Sequence, residues 1–244
     1  MRRSSSSSVN IDTFSWRIVR INGIAYREAG PARNVVLIHG LGMSSAYFDR
    51  LARALFHRGW SPIAPDLPGF GESRDGPSVG PEHHAEILAS WADALGIRDA
   101  IWIGHSLGCN VIPHLRPDLV RKSVCIGPLW SRRTPLRIFG ALMLDAFRED
   151  FALFGYVIRA YWRCGFWRWF ATFRRYDGDL RVDPPSNAVM IAGQEDPLPD
   201  RQFIRDLQGV AGAHACHFAY PEAVADQLSD LVVDRSRPDS LSRA

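Results

Sequence analysis

At 244 residues the chain is long for one small domain and short for two full ones, since domains usually run ~100 to 200 residues, so one core with an insertion is expected. Hydrophobic residues at 46% and charged residues at 23% exclude global disorder, a coiled coil and a collagen-like rod. The formal charge of +3 comes without a dense basic run or a recognition motif, which sets nucleic acid aside as a partner and leaves small-molecule chemistry.

The opening MRRSSSSS has serines where a secretory signal needs ~7 to 15 apolar residues. Residues 1–10 are therefore expected to be a disordered tail. Trp16 to Ile21 and Ile24 to Glu28 read as strands joined at Asn22-Gly23, a dipeptide suited to a tight hairpin turn because it tolerates positive φ. The pattern then changes. Val35 to Ile38 is a continuous apolar strand, followed by a helical stretch from Ala46 to Arg58, a strand over Pro62 to Pro65 and a helix over Pro81 to Leu95. A strand over Ala100 to Gly104, a short helix after Ser106 and a strand over Ser123 to Ile126 follow. Short apolar strands alternating with amphipathic helices predict an α/β fold, a mostly parallel sheet covered by helices on both faces.

Between Pro128 and Pro185 the alternation stops. Phe151, Phe154, Ile158, Tyr161 and Trp162 fall at helical spacing, and Gly165 separates them from a second helix carrying Phe166, Trp169, Phe170 and Phe173. This predicts an inserted helical cap over 131–185, with the core formed by 11–130 and 186–235. The core resumes with a strand over Ala188 to Ala192 and ends in a helix from Pro221 to Val233, before a polar tail at 236–244. The richest apolar stretch, Phe151 to Tyr176, is interrupted by Arg159, Arg163 and Arg168, so no segment offers the ~18 uncharged apolar residues of a membrane span. Cys109, Cys125, Cys164 and Cys216 are widely spaced, with no C-x-x-C pair and no Cys/His zinc spacing. They read as small buried hydrophobes in a reducing, cytoplasmic compartment, with no metal site.

The chemistry concentrates at strand ends. Gly104-His105-Ser106-Leu107-Gly108 lies between an apolar strand and a helix start, the sharp strand-turn-helix that forces a serine into a strained, exposed position. Upstream, His39-Gly40-Leu41-Gly42 closes the first parallel strand. The backbone N–H of Leu41 can converge there with that of Leu107, and two such donors stabilise the oxyanion formed when a carbonyl is attacked. Asp66-Leu67-Pro68-Gly69-Phe70-Gly71-Glu72-Ser73 reads as a structural turn whose carboxylate bonds backbone amides rather than substrate. Gly193-Gln194-Glu195-Asp196-Pro197 follows the strand after the cap. Asp196, shorter than its rival Glu195 and set just before a proline, is the candidate acid. His214 and His217 both follow it, and the order Ser, acid, His leaves either as the base.

Together the HGLG, DLPGFGES, GHSLG and GQEDP strings resemble the α/β-hydrolase superfamily, over the chain from Trp16 to Val233. In the family's terminal G-H-x-x-H-x-x-x-P-E pattern the base precedes the proline by seven positions. His214 has that spacing against Pro221 and His217 does not. The resemblance thus implies a Ser106, His214, Asp196 triad with Leu41 and Leu107 amides as the oxyanion hole. It implies a serine esterase that forms an acyl-enzyme with no metal or organic cofactor, acting on a small ester; the aromatic residues of the cap point to an apolar or aromatic acyl group. Carbon–carbon bond hydrolysis or lactone opening by the same triad is the alternative, and a non-catalytic ligand-binding role is another.

Two departures from the family pattern stand out. Only 17 residues separate Asp196 from His214, where a helix, a strand and their connections want more than ~20, so the last strand is expected to be rudimentary. Pro113 and Pro117 follow Ser106 closely, so the helix behind the serine is expected to be stunted. For the cap, aromatics packed over the cleft with arginines facing water is the preferred reading, and contact with a membrane or lipid droplet the alternative.

Overall fold

The computed structural model describes residues 14–77, 79–131, 137–138, 140–141, 145, 151–178, 180, 185, 187–202, 204 and 206–232. The expected tails at 1–10 and 236–244 lie outside them. Eight strands form one sheet: β1 (Arg17–Ile21), β2 (Ile24–Glu28), β3 (Val35–Ile38), β4 (Pro62–Pro65), β5 (Ala100–His105), β6 (Val120–Ile126), β7 (Val189–Gly193) and β8 (Leu207–Val210). Their order is β1-β2-β4-β3-β5-β6-β7-β8. The first hairpin is antiparallel and β2 pairs antiparallel to β4; every other neighbour is parallel. Asn22 and Gly23 both take positive φ, 48° and 78°, as a two-residue turn matching the strand twist requires.

The parallel strands read as unbroken apolar runs because both faces are covered. Alternate side chains serve opposite layers. Val36, Ile38, Trp102 and Cys125 join the cluster under α2 (Pro81–Leu95), while Val35, Leu37, Ile101, Ile103, Val124 and Ile126 join the cluster under α1 (Asp49–His57). The expected helix over Ala46 to Arg58 is two pieces, a 3₁₀ turn over Ser45–Phe48 and then α1. Pro81 at the first turn and Gly96 at φ 68° delimit α2, the usual asymmetry of proline at the start and glycine past the end.

The trim behind the serine behaves as expected, whereas the last strand is not rudimentary: β8 is as long as β3 and β4. Ser106–His114 is a 3₁₀ helix with Pro113 inside it; the missing proline N–H leaves one ladder bond unmade. Strand β8 has four residues, and no helix is described between it and β7.

Between β6 and β7 come α3 (Phe151–Cys164) and α4 (Phe166–Tyr176), separated at Gly165, whose φ is 81°. After β8 follow a single turn, α5 (Cys216–Ala219), and α6 (Pro221–Val232). Specific polar contacts hold α3 and α4 to the core. Arg163 bonds Glu72 at 2.7 Å, Arg168 donates to the Gly76 carbonyl, and the Tyr176 hydroxyl meets His84 Nδ1 of α2 at 2.6 Å. Trp169, Phe173 and Tyr176 are buried, whereas Phe154, Ile158, Trp162 and Trp167 are exposed, so the aromatics divide between the two sides of the cap rather than all packing inward. Among the described residues no helix is long and apolar enough to cross a membrane. All four cysteines are free thiols, three of them buried.

Candidate active site

Strand β5 delivers Ser106 directly. The serine takes φ 55°, the left-handed region that costs a residue with a Cβ of order 1–3 kcal/mol and persists only where the surroundings over-determine it. Those surroundings are visible. A Cβ on Gly104 would lie 2.6 Å from the Cys109 nitrogen, and one on Gly108 would run into the Ile38 and His39 carbonyls. The strand and the following helix therefore close around the serine only because both flanking residues are glycine. A Cβ on Gly40 would sit 3.0 Å from the Ser106 Cβ, so the turn after β3, carrying Leu41, presses against the same serine. Leu107, second in its helix, has an N–H among those a helix leaves without an intrahelical partner.

His39 braces that turn. It is fully buried; its Nδ1–H donates to the Gly40 carbonyl at 2.8 Å and its Nε2 accepts from the Leu67 amide at 2.9 Å. These bonds require the neutral tautomer, in keeping with burial lowering its pKa. Asp66 is likewise spent on backbone: its carboxylate accepts from Ser45 N at 2.6 Å and Glu72 N at 2.7 Å.

On the far side, backbone pairing brings a carboxylate and an imidazole together. Gln194 N donates to Val210 O at 2.8 Å and Glu195 N to Gly212 O at 3.0 Å, laying the turn after β7 along the loop after β8. Gly193 allows this, since a Cβ there would collide with the Gly212 and Ala213 carbonyls. As a result Asp196 Oδ2 stands 2.9 Å from His214 Nδ1, while its other oxygen accepts from Leu198 N at 2.9 Å. Both residues are buried. Glu195, the rival acid, is exposed. Gly127, at φ 54°, backs the ring: a Cβ there would lie 2.9 Å from His214 Nδ1.

His217 goes elsewhere. It is fully buried between Tyr47, in edge contact at 4.5 Å, and His105 at 4.3 Å, and neither ring nitrogen has a hydrogen-bond partner. Burial first, then His214, pushes its pKa down to about 3.

Serine and imidazole lie on adjoining turns. His105, the residue before Ser106, donates from Nε2 to the His214 carbonyl at 3.1 Å, and the two rings are 4.8 Å apart. His214 Nε2 makes no hydrogen bond to Ser106; the bond between such a base and its nucleophile often tightens only when substrate binds.

One participant has no signal in the sequence. Asp145, from the segment between β6 and α3, is buried, and its Oδ1 accepts from the His214 backbone N–H at 3.3 Å. No motif or periodicity marks it, because its role depends on where the inserted segment lands. Among the described residues no group of three or more His, Cys, Asp or Glu side chains is placed to hold a metal ion.

Comparisons with known proteins agree with this architecture. A family model described as alpha/beta hydrolase fold matches residues 33–155, which include Leu41, Ser106 and Leu107. The chain is 34% identical over 133 residues to a pimeloyl-[acyl-carrier protein] methyl ester esterase of Vibrio cholerae, covering 51% of this chain and 49% of that protein. It is 35% identical over 140 residues to a non-heme haloperoxidase of Rhodococcus erythropolis, covering 52% and 49%. The matches thus span about half the length of these curated relatives. Among solved structures, an N-acyl homoserine lactonase, AidH, complexed with N-butanoyl homoserine superposes with a TM-score of 0.71 at 19% identity, over 92% of this chain and 98% of that one, a likeness of fold. A family model matched over half of the chain, on a mostly parallel eight-stranded sheet with a strained serine at the end of β5, places this protein in the α/β-hydrolase fold family.

Proposed function

We propose that the protein is a serine hydrolase of carboxylic esters. Ser106 attacks the ester carbonyl as His214 takes its proton, Asp196 holds the imidazole tautomer and stabilises the imidazolium, and the Leu41 and Leu107 amides receive the oxyanion. The alcohol leaves with the proton held by His214. Water, activated by the same imidazole, then releases the acid and restores the serine hydroxyl. The observation that carries the reading is the left-handed Ser106 at the end of β5: backbone strain of this kind marks a residue held for function. The His214–Asp196 bond at 2.9 Å supports it, and the named esterase among the relatives agrees with it.

The division into a core over 11–130 and 186–235 and a cap over 131–185 belongs to the same proposal. A small ester with an apolar or aromatic acyl group as substrate is part of it too, in keeping with the approach of Trp169 and Tyr161 to Gly42 in the turn after β3, and the four free thiols fit a cytoplasmic setting. A fluorophosphonate should label one site, found at Ser106 by mass spectrometry of the digested adduct. Label at another residue, or none, would overturn the reading.

Asp145 enters as a positioning residue, since it touches the His214 backbone rather than substrate. Asp145→Ala should lower kcat roughly tenfold with KM little changed, because one hydrogen bond to the base's loop is worth about 1–1.5 kcal/mol. Asp145→Asn, which keeps an acceptor oxygen, should recover most of the loss. Equal effects of the two variants on kcat would remove the positioning role.

A further inference from the structure

The cap has two sides of unlike character. Along α3 the inward stripe is Leu153, Val157, Ala160 and Cys164, at helical spacing and buried or half-buried. The opposite stripe is also apolar: Phe154 is 53% exposed, Ile158 53% and Trp162 88%. In α4 the inward set is Trp169, Thr172, Phe173 and Tyr176, while Trp167, 79% exposed, and Phe170 face out. The two most exposed aromatics, Trp162 and Trp167, flank the turn at Gly165 and form the tip of the helical hairpin. Elsewhere among the described residues the exposed large hydrophobics are Ile18 and Tyr220, so the patch is confined to the cap. Contiguous exposed apolar surface of this kind marks an interaction site.

Charge selects the occupant. Phe151 to Tyr176 contains Arg159, Arg163, Arg168, Arg174 and Arg175 and no acidic residue. Arg163 and Arg168 reach inward to Glu72 and the Gly76 carbonyl, and so fix which way the hairpin's other side looks. Arg159 lines the cleft beside Arg163, Asp66 and Glu72, whereas Arg174 and Arg175 are exposed, with Arg174 lying 6.0 Å from the Phe170 ring. Tryptophan and phenylalanine bordered by arginine is the composition of a helix lying in the plane of a membrane interface: the rings enter the headgroup boundary while guanidinium groups stay at the phosphates. A protein partner burying this face would have to be strongly acidic, whereas an anionic bilayer supplies the charge and the apolar layer together.

We propose that the outward face of α3 and α4 docks the protein on an anionic bilayer surface, with Trp162 and Trp167 inserted and Arg174 and Arg175 on lipid phosphates. This stands independently of the ester-hydrolase reading, since the docking face carries none of the residues assigned to the reaction. The test is sedimentation of the full chain with vesicles of phosphatidylcholine alone and of an equal mixture with phosphatidylglycerol, at low and high salt. Binding is expected to the mixture at low salt and to weaken several-fold at high salt. Trp162→Ser with Trp167→Ser should weaken it roughly tenfold or more, and each of Arg174→Gln and Arg175→Gln about fivefold. Circular dichroism of the variants, whose changed side chains are exposed, checks that the fold is retained. Absence of binding to the mixture at low salt would overturn the proposal, as would binding that the double tryptophan variant leaves unchanged. A concentration-dependent dimer in sedimentation velocity that the same variant abolishes, without vesicle binding, would overturn it in favour of a second copy of the chain.

Discussion

Ser106→Ala should reduce ester turnover by roughly five to six orders of magnitude while leaving the circular dichroism and melting transition in place. The size of the loss follows from the way nucleophile, base and acid act as a unit: removing the serine alone forfeits nearly everything the three supply, and a residual rate persists from oxyanion stabilisation and binding. The fold should tolerate the change because alanine occupies less space than serine at a position closed by glycines, and the hydroxyl makes no hydrogen bond whose loss would be felt. Relief from the left-handed backbone is not expected, since alanine carries the same Cβ. An aryl ester assay with active-site titration checks the result, and undiminished turnover in the variant would end the serine mechanism.

Acid should unfold the protein, and the cause lies in buried imidazoles beside the site. His217 and His84 both have pKa values pushed down to about 3, in each case mainly by burial, and His105 is held well below the ordinary value by burial and by its neighbours His217 and His214. In the unfolded chain a histidine takes up its proton near pH ~6.5. Between that value and about pH 3 the unfolded state therefore binds more protons than the folded state, and stability falls as pH drops. The slope is up to ~1.4 kcal/mol per pH unit for each such group. Two to three groups acting together can consume up to ~6–12 kcal/mol within about two to three pH units, comparable with the ~5–15 kcal/mol stability of an ordinary domain. Loss of the folded signal is expected between about pH 5 and pH 3.5. Replacing His217 by leucine, an apolar side chain of similar bulk, should lower the slope of denaturant-derived stability against pH by about one proton. An unchanged slope in that variant would show that His217 does not carry the effect.

The same burial bears on how far the site could be read from letters alone. Sequence order leaves His214 and His217 as equal candidates, separated only by the family's spacing to Pro221. In the fold the difference is physical. His214 emerges on the loop that Gln194 and Glu195 bind through backbone, and so meets Asp196; His217, three residues on, lies within the single turn α5 and points into the aromatic layer of Tyr47 and Phe48. The preference for Asp196 over Glu195 has a matching cause, one side chain being buried against the imidazole and the other exposed. Asp145 and the outward tilt of the cap's apolar stripe left no legible mark, because both depend on the angle at which a helical insertion meets the sheet. A two-sided apolar helix looks from its sequence like one that is buried on both sides.

What the sequence by itself determined is what a few neighbouring residues decide. The apolar runs of β3, β5 and β7, the positive-φ turn at Asn22-Gly23, the serine bracketed by Gly104 and Gly108, and the short helix that contains Pro113 all follow from steric and hydrogen-bonding rules acting over a turn or less. Only the tertiary structure decided which histidine meets the carboxylate, that Asp145 reaches the His214 backbone, and which side of α3 and α4 faces out. These depend on residues up to 92 positions apart being brought together, helped by close approach at Gly193, Gly127 and Gly40, where the absence of a side chain is what lets one loop lie against another.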